Sequence, residues 1–250
     1  MVNKMSMLEI SGATKIYGGA PVFSQFDLKV GQGQFNVLVG PSGCGKSTLF
    51  DGLTHVVSLD RGNISWNGTP LPHLGNHAAY MQQKDLLLPW FSLFDNALLP
   101  AKVGKQAMPE MTTKAEILFS RMGLSGYESY LPHEVSGGMR QRCALVRTLM
   151  FNRDLILLDE PLSALDAITR RRLQSLLLLL QTEFDKTILM ITHDIEEALL
   201  LADEVYLLSP SPMVITQRFV LDQKKPRKFT DPGLMAIKEQ VLVQLEGGDL

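Results

Sequence analysis

The sequence contains little cysteine and no long apolar run, and each shortage excludes a class of protein. Only two of the 250 residues are cysteines, Cys44 and Cys143, which is too few for a disulfide framework and suits a reducing compartment. The densest apolar run, residues 176–180, is far shorter than the roughly 20 residues that span a bilayer. Residues 1–10 include Lys4 and Glu9 and lack the uninterrupted apolar core of a secretory signal. We therefore expect a cytosolic chain whose membrane role, if any, depends on a partner.

An excess of one charge is also missing. The 24 basic and 26 acidic residues give a net charge of −2, which argues against a broad nucleic-acid surface, so we expect no nucleic-acid partner. The basic clusters at residues 170–172 and 224–228 are typical of solvated faces. A chain of this length buries roughly 70–75% of its unfolded surface, enough for one large domain with a smaller lobe.

The apolar pattern changes twice along the chain. It predicts short strands near the N-terminus and a hairpin turn at Asn67-Gly68; the strands cover residues 8–17, 26–30, 35–39 and 78–81. From residue 84 to about 150 the pattern is helical, with a capping box predicted at Thr113 and a helix capped by Ser136. We therefore expect residues 84–150 to form a helical lobe, and residues 1–83 and 151–250 to form the core.

Strands and helices alternate beyond residue 150, which predicts an α/β fold with a parallel sheet. The strands are predicted at residues 155–158, 187–192 and 205–208. One helix is predicted at residues 168–182 and another from Asp231 to about residue 245. A third begins at Asp194, with Glu197 as the second residue of its capping box.

The most informative motif follows the strand at residues 35–39. It consists of Gly40, Pro41, Ser42, Gly43, Cys44, Gly45, Lys46, Ser47 and Thr48. Glycines let such a loop turn tightly, so that backbone N–H groups and the positive end of the next helix converge on phosphate oxygens. Lys46 supplies a mobile charge for the outer phosphates, and Ser47 supplies a hydroxyl for Mg²⁺. The motif predicts a nucleoside triphosphate site in preference to a plain glycine-rich turn.

Polar side chains at other strand ends can complete this site. Asp159 and Glu160 follow an apolar strand, where Asp159 can hold Mg²⁺ and Glu160 can orient or deprotonate a water for in-line attack. His193 follows a second strand and can hydrogen-bond the γ-phosphate or the water, although a helix cap is the alternative. Gln83, at the junction with the helical lobe, has an amide that can meet both Mg²⁺ and water.

A second anion-binding nest is predicted at Ser136, Gly137 and Gly138, at a helix N-terminus. The first loop already accounts for one triphosphate. If the second nest serves the ATP of another copy, two chains must pair head to tail with two nucleotides between them. The alternative is an ordinary glycine cap.

Together these motifs resemble the ordered motif set of ABC ATPases: residues 40–48, Gln83, residues 135–139, Asp159-Glu160, residues 163–166 and His193. The resemblance implies a P-loop NTPase (RecA-like) core with an N-terminal antiparallel β subdomain and an inserted α-helical subdomain. It also implies ATP and Mg²⁺ as cofactors, Glu160 as catalytic base, Tyr17 stacked on adenine, and a segment ending at Asp166 that communicates between paired subunits.

Val135 and Met139 depart from the family signature, which has Leu and Gln at these positions. A hydrogen bond from that Gln side chain to the opposing nucleotide is therefore absent, while the backbone nest remains.

Three further segments, at residues 87–90, 136–142 and 225–228, look like those of ATP subunits of nitrate, sulfonate, taurine and pyrimidine-type importers. This likeness implies a second copy, an integral membrane permease and, indirectly, a solute-binding protein as partners, at the cytoplasmic face of the membrane. Residues 86–91 form either a groove for a permease helix or plain core packing. The alternatives are a soluble ABC ATPase without a membrane partner, an ABC exporter ATPase, and a small-molecule kinase.

Overall fold

The fold contains two β-sheets. A computed structural model describes residues 6–163 and 165–246 of the chain. Ala164, one member of the motif at residues 163–166, lies outside the described residues, as does Lys4. The first sheet has four antiparallel strands in the order β2-β1-β4-β5. These strands are β1 (Ser6–Tyr17), β2 (Ala20–Gly31), β4 (Arg61–Trp66) and β5 (Thr69–Leu71).

The strands predicted at residues 8–17 and 26–30 lie within β1 and β2, but these strands are longer than predicted, at 12 residues each. Register shifts such as that between Ile10 and Ala13 interrupt their pairing without ending it. Gly12 lies within that shift at φ 62°, a conformation that suits the extra residue of a β-bulge. The hairpin turn is confirmed, since Asn67 and Gly68 join β4 to β5 at φ 48° and 77°, as a type I′ turn requires.

The second sheet confirms the predicted parallel arrangement. Five parallel strands are β3 (Phe35–Val39), β6 (Ala78–Met81), β7 (Leu155–Asp159), β8 (Thr187–Thr192) and β9 (Glu204–Leu208). An antiparallel edge strand, β10 (Ile215–Val220), completes the order β10-β9-β3-β8-β7-β6. The sequence pattern missed β10, because only one of its six residues is fully buried and its apolar signal is weak.

Seven α-helices occur in the described part of the chain: α1 (Lys46–Thr54), α2 (Leu93–Val103), α3 (Met108–Arg121), α4 (Gly137–Met150), α5 (Ala167–Thr182), α6 (Ile195–Leu201) and α7 (Pro232–Glu246). The helices α2, α3 and α4 lie between β6 and β7 in the chain. We call them the helical lobe; its predicted limits at residues 84 and 150 stay a prediction.

Two of the predicted helix starts need correction. Thr113 is no cap, because α3 begins at Met108 and the Thr113 hydroxyl donates to the Pro109 carbonyl at 3.2 Å within the helix. Pro109 occupies the first turn, where a missing N–H is tolerated. Asp194 does cap α6. Its predicted partner Glu197 instead accepts from the Thr192 hydroxyl through Oε2 at 2.9 Å, and among the hydrogen bonds of the described residues its side chain completes no capping box with Asp194.

Two apolar clusters hold the second sheet in place. The larger joins one face of the sheet to the helical lobe, α5 and α6, and the smaller fills the space between the two sheets and α1. All residues of β3, β7, β8 and β9 are buried, as expected for a parallel sheet covered on both faces. The carboxyl ends of β3, β7 and β8 therefore meet at one firmly supported edge.

Candidate functional site

The glycine-rich loop between β3 and α1 is closed around a buried lysine. Lys46 is 6% exposed, and its Nζ donates to the carbonyls of Gly40 and Pro41, both at 2.7 Å. Gly45 has φ 117°, and a Cβ there would lie 2.5 Å from Val22 Cγ1. A side chain at position 45 is therefore excluded both by backbone conformation and by space.

Asp159 at the end of β7 faces this loop and is 2% exposed. Burial raises the pKa of Asp159, and the neighbouring charges of Glu160 and Asp51 raise it further. A hydrogen bond with Ser47 and the charge of Lys46 act in the opposite direction on this pKa. The Asp159 carboxylate is hydrogen-bonded to the Ser47 hydroxyl. Two of the groups expected to hold Mg²⁺ are therefore already next to each other.

Glu160 is held between two of the other expected site residues. Gln83 Nε2 donates to its Oε2 at 3.2 Å, and His193 Nδ1 lies 3.2 Å from its Oε1. The Glu160 backbone has φ 48°, and its N–H donates to the Ile191 carbonyl at 2.9 Å. A left-handed conformation is costly for a residue with a side chain, so the fold imposes this direction on the carboxylate.

Gln141 is a neighbour of Glu160 that the sequence motifs did not reveal. It is buried on α4, and its Nε2 donates to the Glu160 carbonyl at 3.0 Å. It lies on the inward stripe with Ala144, Leu145 and Thr148, and a polar side chain within such a stripe is the signal that could have identified it. This bond ties the helical lobe directly to the residue expected to act on water.

Asp51 and Tyr80 form a second missed pair close to Asp159. The Tyr80 hydroxyl donates to Asp51 Oδ1 at 3.1 Å. Burial, followed by the charges of Asp51 and Asp159, raises the pKa of Tyr80, so the phenol remains a neutral donor at physiological pH. Burial also raises the pKa of Asp51.

The glycine-rich loop, Gln83 and Glu160 line a cavity of about 310 Å³, and Asp159 and His193 lie outside that lining. Its lining consists of Val22, Ser42, Gly43, Gly45, Lys46, Ser47, Thr48, Gln83 and Glu160. Among the described residues, Tyr17, Ser136–Gly138 and Asp166 contribute nothing to that lining. One chain therefore brings the loop, the carboxylates, Gln83 and His193 together, and leaves the other expected residues elsewhere on its surface.

Those remaining residues have ordinary local roles in the single chain. Tyr17 is 51% exposed, with Lys15 Nζ 5.0 Å from its ring centre. Ser136 caps α4 by accepting from Met139 N at 3.3 Å. Asp166 caps α5 by accepting from the N–H groups of Ile168 and Thr169, both at 3.0 Å, and its hydrogen bonds, those to Thr169 first, lower its pKa.

The segment after Gln83 is fixed to α4 by two arginines. Arg140 Nε lies 3.0 Å from Asp85 Oδ2, and Arg147 donates to the Asp85 and Leu86 carbonyls at 2.7 and 2.8 Å. Two apolar side chains of this segment face solvent, Leu86 at 53% and Trp90 at 69% exposure. Leu86 also lines a groove of about 330 Å³ between this segment, α2 and α4.

The described residues contain neither a dense cluster of metal ligands nor a helix able to cross a membrane. Within them, no cluster of three or more His, Cys, Asp or Glu side chains could hold a metal ion. None of the described helices combines the length and the apolar character that a membrane crossing requires.

Comparisons with known proteins identify a family model and relatives that match this chain. Residues 23–163 match the protein-family model described as "ABC transporter". The aliphatic sulfonates import ATP-binding protein SsuB 2 of Burkholderia cenocepacia is 38% identical over 94% of this chain and 86% of its own length. The taurine import ATP-binding protein TauB of Escherichia coli O157:H7 is 37% identical over 94% of this chain and 96% of its own.

A solved structure supports the fold. A dimeric post-hydrolysis state of the ATP-binding cassette MJ0796, bound to ADP and Pi, superposes with a TM-score of 0.80 at 24% identity. The match covers 87% of this chain and all of the other.

Proposed function

Because the chain belongs to the ABC transporter family as an ATP-hydrolysing subunit, we propose that two copies enclose two Mg·ATP and drive a membrane permease that imports a sulfonate-type solute. The observation that carries this proposal is the Glu160 carboxylate, held by Gln83 and His193 at 3.2 Å each beside the glycine-rich loop.

The chemistry assigned to these residues is water attack on the γ-phosphorus of ATP. Glu160 accepts a proton from the water, and Gln83 and His193 keep its two oxygens in a fixed direction. Lys46 already has its ammonium group at the loop, where it stabilises negative charge on the outer phosphates. Positioned proton transfer of this kind is typically worth about 10²–10⁴ in rate.

Magnesium fits the oxygen donors of the site. Asp159, Ser47 and Gln83 would hold it, and the contact between Asp159 and Ser47 brings a carboxylate and a hydroxyl together. Mg²⁺ in nucleotide sites uses one or two carboxylates together with phosphates, so a site without three clustered acidic or imidazole ligands suits it. When bound, the ion neutralises charge on the phosphates.

The paired arrangement accounts for residues that one chain leaves unused. We assign Ser136, Gly137 and Gly138 of a second copy to the γ-phosphate, Tyr17 to adenine, and Asp166 to the contact between copies. The dimeric assembly of MJ0796 supports this assignment. In each site, one copy supplies Lys46 and Glu160 and the other supplies Ser136.

The exposed segment after Gln83 is the proposed contact with the permease. Leu86 and Trp90 expose apolar surface next to a groove, which suits an amphipathic helix. We place the subunit at the cytoplasmic face of the membrane, with a solute-binding protein as an indirect partner. Sulfonates as cargo are proposed from the names of the SsuB and TauB relatives.

Uptake measurements test the proposal. In cells of the parent organism that lack this gene, the intact gene should restore uptake of labelled taurine or an alkanesulfonate. Lys46→Ala should not restore uptake, while the exposed-surface control Lys105→Ala should. A tagged intact chain should also copurify with an integral membrane protein. ATPase activity without such a partner would indicate a soluble ATPase, and solute loss on expression would indicate an exporter.

A further inference from the structure

A second, larger cavity lies between the helical lobe and the core. Its volume is about 660 Å³, within the range of small-molecule sites, about 300–1,000 Å³. Its walls come from α3, the end of α4, α5 and the first residues of β6 and β7. None of Lys46, Gln83, Glu160 and His193 lines it. We call it the lobe cavity.

The interior of the lobe cavity is apolar. Leu118, Ile156 and Leu176 line it and are buried. Two further lining side chains, Ile117 and Phe184, are 51% and 55% exposed. Apolar side chains that face solvent beside an apolar cavity are surface that an apolar ligand would cover.

The charged groups of the lobe cavity are mostly positive. Its lining contains Lys114, Arg121, Arg153 and Lys186 against a single acid, Glu110. This excess of cations favours an anionic ligand, because complementary charge selects between partners.

Within the part of the chain that the structure describes, only one of these four cations forms an ion pair with an acid. Lys186 pairs with Asp154 at 3.2 Å, but Lys114 has only the Leu149 carbonyl, at 3.4 Å, as a hydrogen-bond partner within the described residues. The buried Arg153 Nε has no hydrogen-bond partner within the described residues. Burial, and then the charge of Lys186, lower the pKa of Lys114. An anion would relieve both the repulsion and the missing hydrogen bond.

We propose that the lobe cavity binds an anionic amphiphile, a carboxylate or sulfonate group on an apolar chain. The head group pairs with Lys114 and Arg153, and the chain lies along Leu118, Ile156 and Leu176. Because the walls belong to both the helical lobe and the core, the ligand contacts both at once. This site is independent of the proposed transport function.

Calorimetric titration of the full chain tests this proposal, with decanoate and decane-1-sulfonate as probes below their micelle concentrations. Both anions should bind at one site per chain. Octanoate should bind about 16-fold more weakly, since each buried methylene contributes about fourfold, or about 0.8 kcal/mol. Decan-1-ol and decyltrimethylammonium, which lack the anionic head, should bind at least about tenfold more weakly than decanoate.

Three variants locate the binding site. Lys114→Gln should weaken decanoate binding about tenfold and leave decan-1-ol binding unchanged, since only the anion uses the ammonium group. Phe184→Ser, at an exposed position, should weaken both. Lys105→Gln, an exposed lysine of the same lobe outside the cavity lining, should change neither. Unchanged ATPase activity in all three would show that they are folded.

Several results would overturn the proposal. The first is that decanoate, decan-1-ol and decyltrimethylammonium bind with equal affinity. The second is that Lys114→Gln leaves the affinity for decanoate unchanged. The third is that decanoate does not bind at all. Adhesion to phosphatidylglycerol vesicles without binding of free decanoate would indicate a lipid surface and would also overturn it.

Discussion

Glu160 shows how much structure is needed to direct one carboxylate. Its φ of 48° is a left-handed conformation, which costs a residue with a side chain on the order of 1–3 kcal/mol. The Ile191 carbonyl, the Gln141 amide, Gln83 and His193 together hold it there. The surrounding strands therefore maintain a conformation that the residue would not adopt alone.

Glu160→Gln should bind ATP as the wild type does but hydrolyse it about 10²–10⁴-fold more slowly. The amide keeps the size of the carboxylate and its single oxygen can still accept from one of the two neighbours, Gln83 or His193, but it cannot take a proton from water. ATPase rates and equilibrium ATP binding measure the two effects. The control is Glu183→Gln, an exposed glutamate after α5, and turnover near wild type in Glu160→Gln would remove the assigned role.

Gln141→Met tests a positioning residue. The change removes the donor to the Glu160 carbonyl while approximately preserving side-chain length, so kcat should fall about tenfold, the equivalent of one hydrogen bond, with KM for ATP little changed. Gln106→Met, at an exposed site, is the matched control. A fall in thermal stability with normal kcat would mean that Gln141 is only structural.

Asp159→Asn should stabilise the nucleotide-free protein at pH 7. The folded-state pKa of Asp159 lies above the unfolded value of 3.8, so the folded state holds more protons and loses stability as pH rises through that window. Removing the charge should raise Tm by about 2–4 °C per kcal/mol of relieved desolvation. The difference from wild type should shrink toward pH 4, and Mg²⁺-dependent hydrolysis should be lost. A lower Tm at pH 7 would contradict this reasoning.

At the scale of elements, the site is an edge where parallel strands end. The strands β3, β7 and β8 are buried apolar runs that end in the glycine-rich loop, Asp159-Glu160 and His193. An apolar run without alternation, followed by polar residues, can be recognised in the sequence. Because parallel strands place their carboxyl ends at the same edge of a sheet, such polar residues are expected to lie together. Most of the candidate site was therefore predictable before any coordinates.

The features that were not predictable depend on tertiary contacts. Gln141 acts through a bond to a backbone carbonyl 19 residues away, which no local pattern encodes. The long strands β1 and β2 continue through bulges that resemble boundaries. Thr113 has the side chain of a cap, but Pro109 sets the start of α3 earlier. In each case, packing or a distant partner overrides local propensity.

At the N-terminus of α4, the proposed contact with the second copy's nucleotide can be tested separately from the contribution of Ser136 to stability. Ser136→Arg should leave a folded chain that binds ATP at its own loop but hydrolyses it poorly, because the added side chain would block the nest offered to the second copy. ATP-dependent dimerisation, measured by light scattering in the Glu160→Gln background, should be lost.

Ser136→Ala is the matched control for that experiment. It removes the same cap to Met139 at a cost of about 0.5–2 kcal/mol but adds no bulk, so dimerisation should persist. Normal ATPase activity in Ser136→Arg would refute the composite site.

At the scale of the whole molecule, the proposed site is divided between copies, which predicts complementation between inactive variants. In a mixed head-to-tail dimer of Glu160→Gln and Ser136→Arg, both changes fall in one site. The other site receives an intact Glu160 from one copy and an intact Ser136 from the other. A mixed dimer has only one blocked site, so it can still close around the other. If half of the dimers are mixed and one intact site suffices, equal mixing should restore up to about a quarter of wild-type turnover.

A second pair of variants provides the control. Lys46 and Glu160 belong to the same half of the site, so mixing Lys46→Ala with Glu160→Gln leaves one defect in each site of every mixed dimer. That mixture should stay inactive under the conditions that rescue the first. Rescue of both mixtures, or of the control mixture alone, would contradict a site in which one copy supplies Lys46 with Glu160 and its twin supplies Ser136, because that division leaves an intact site only in the first mixture.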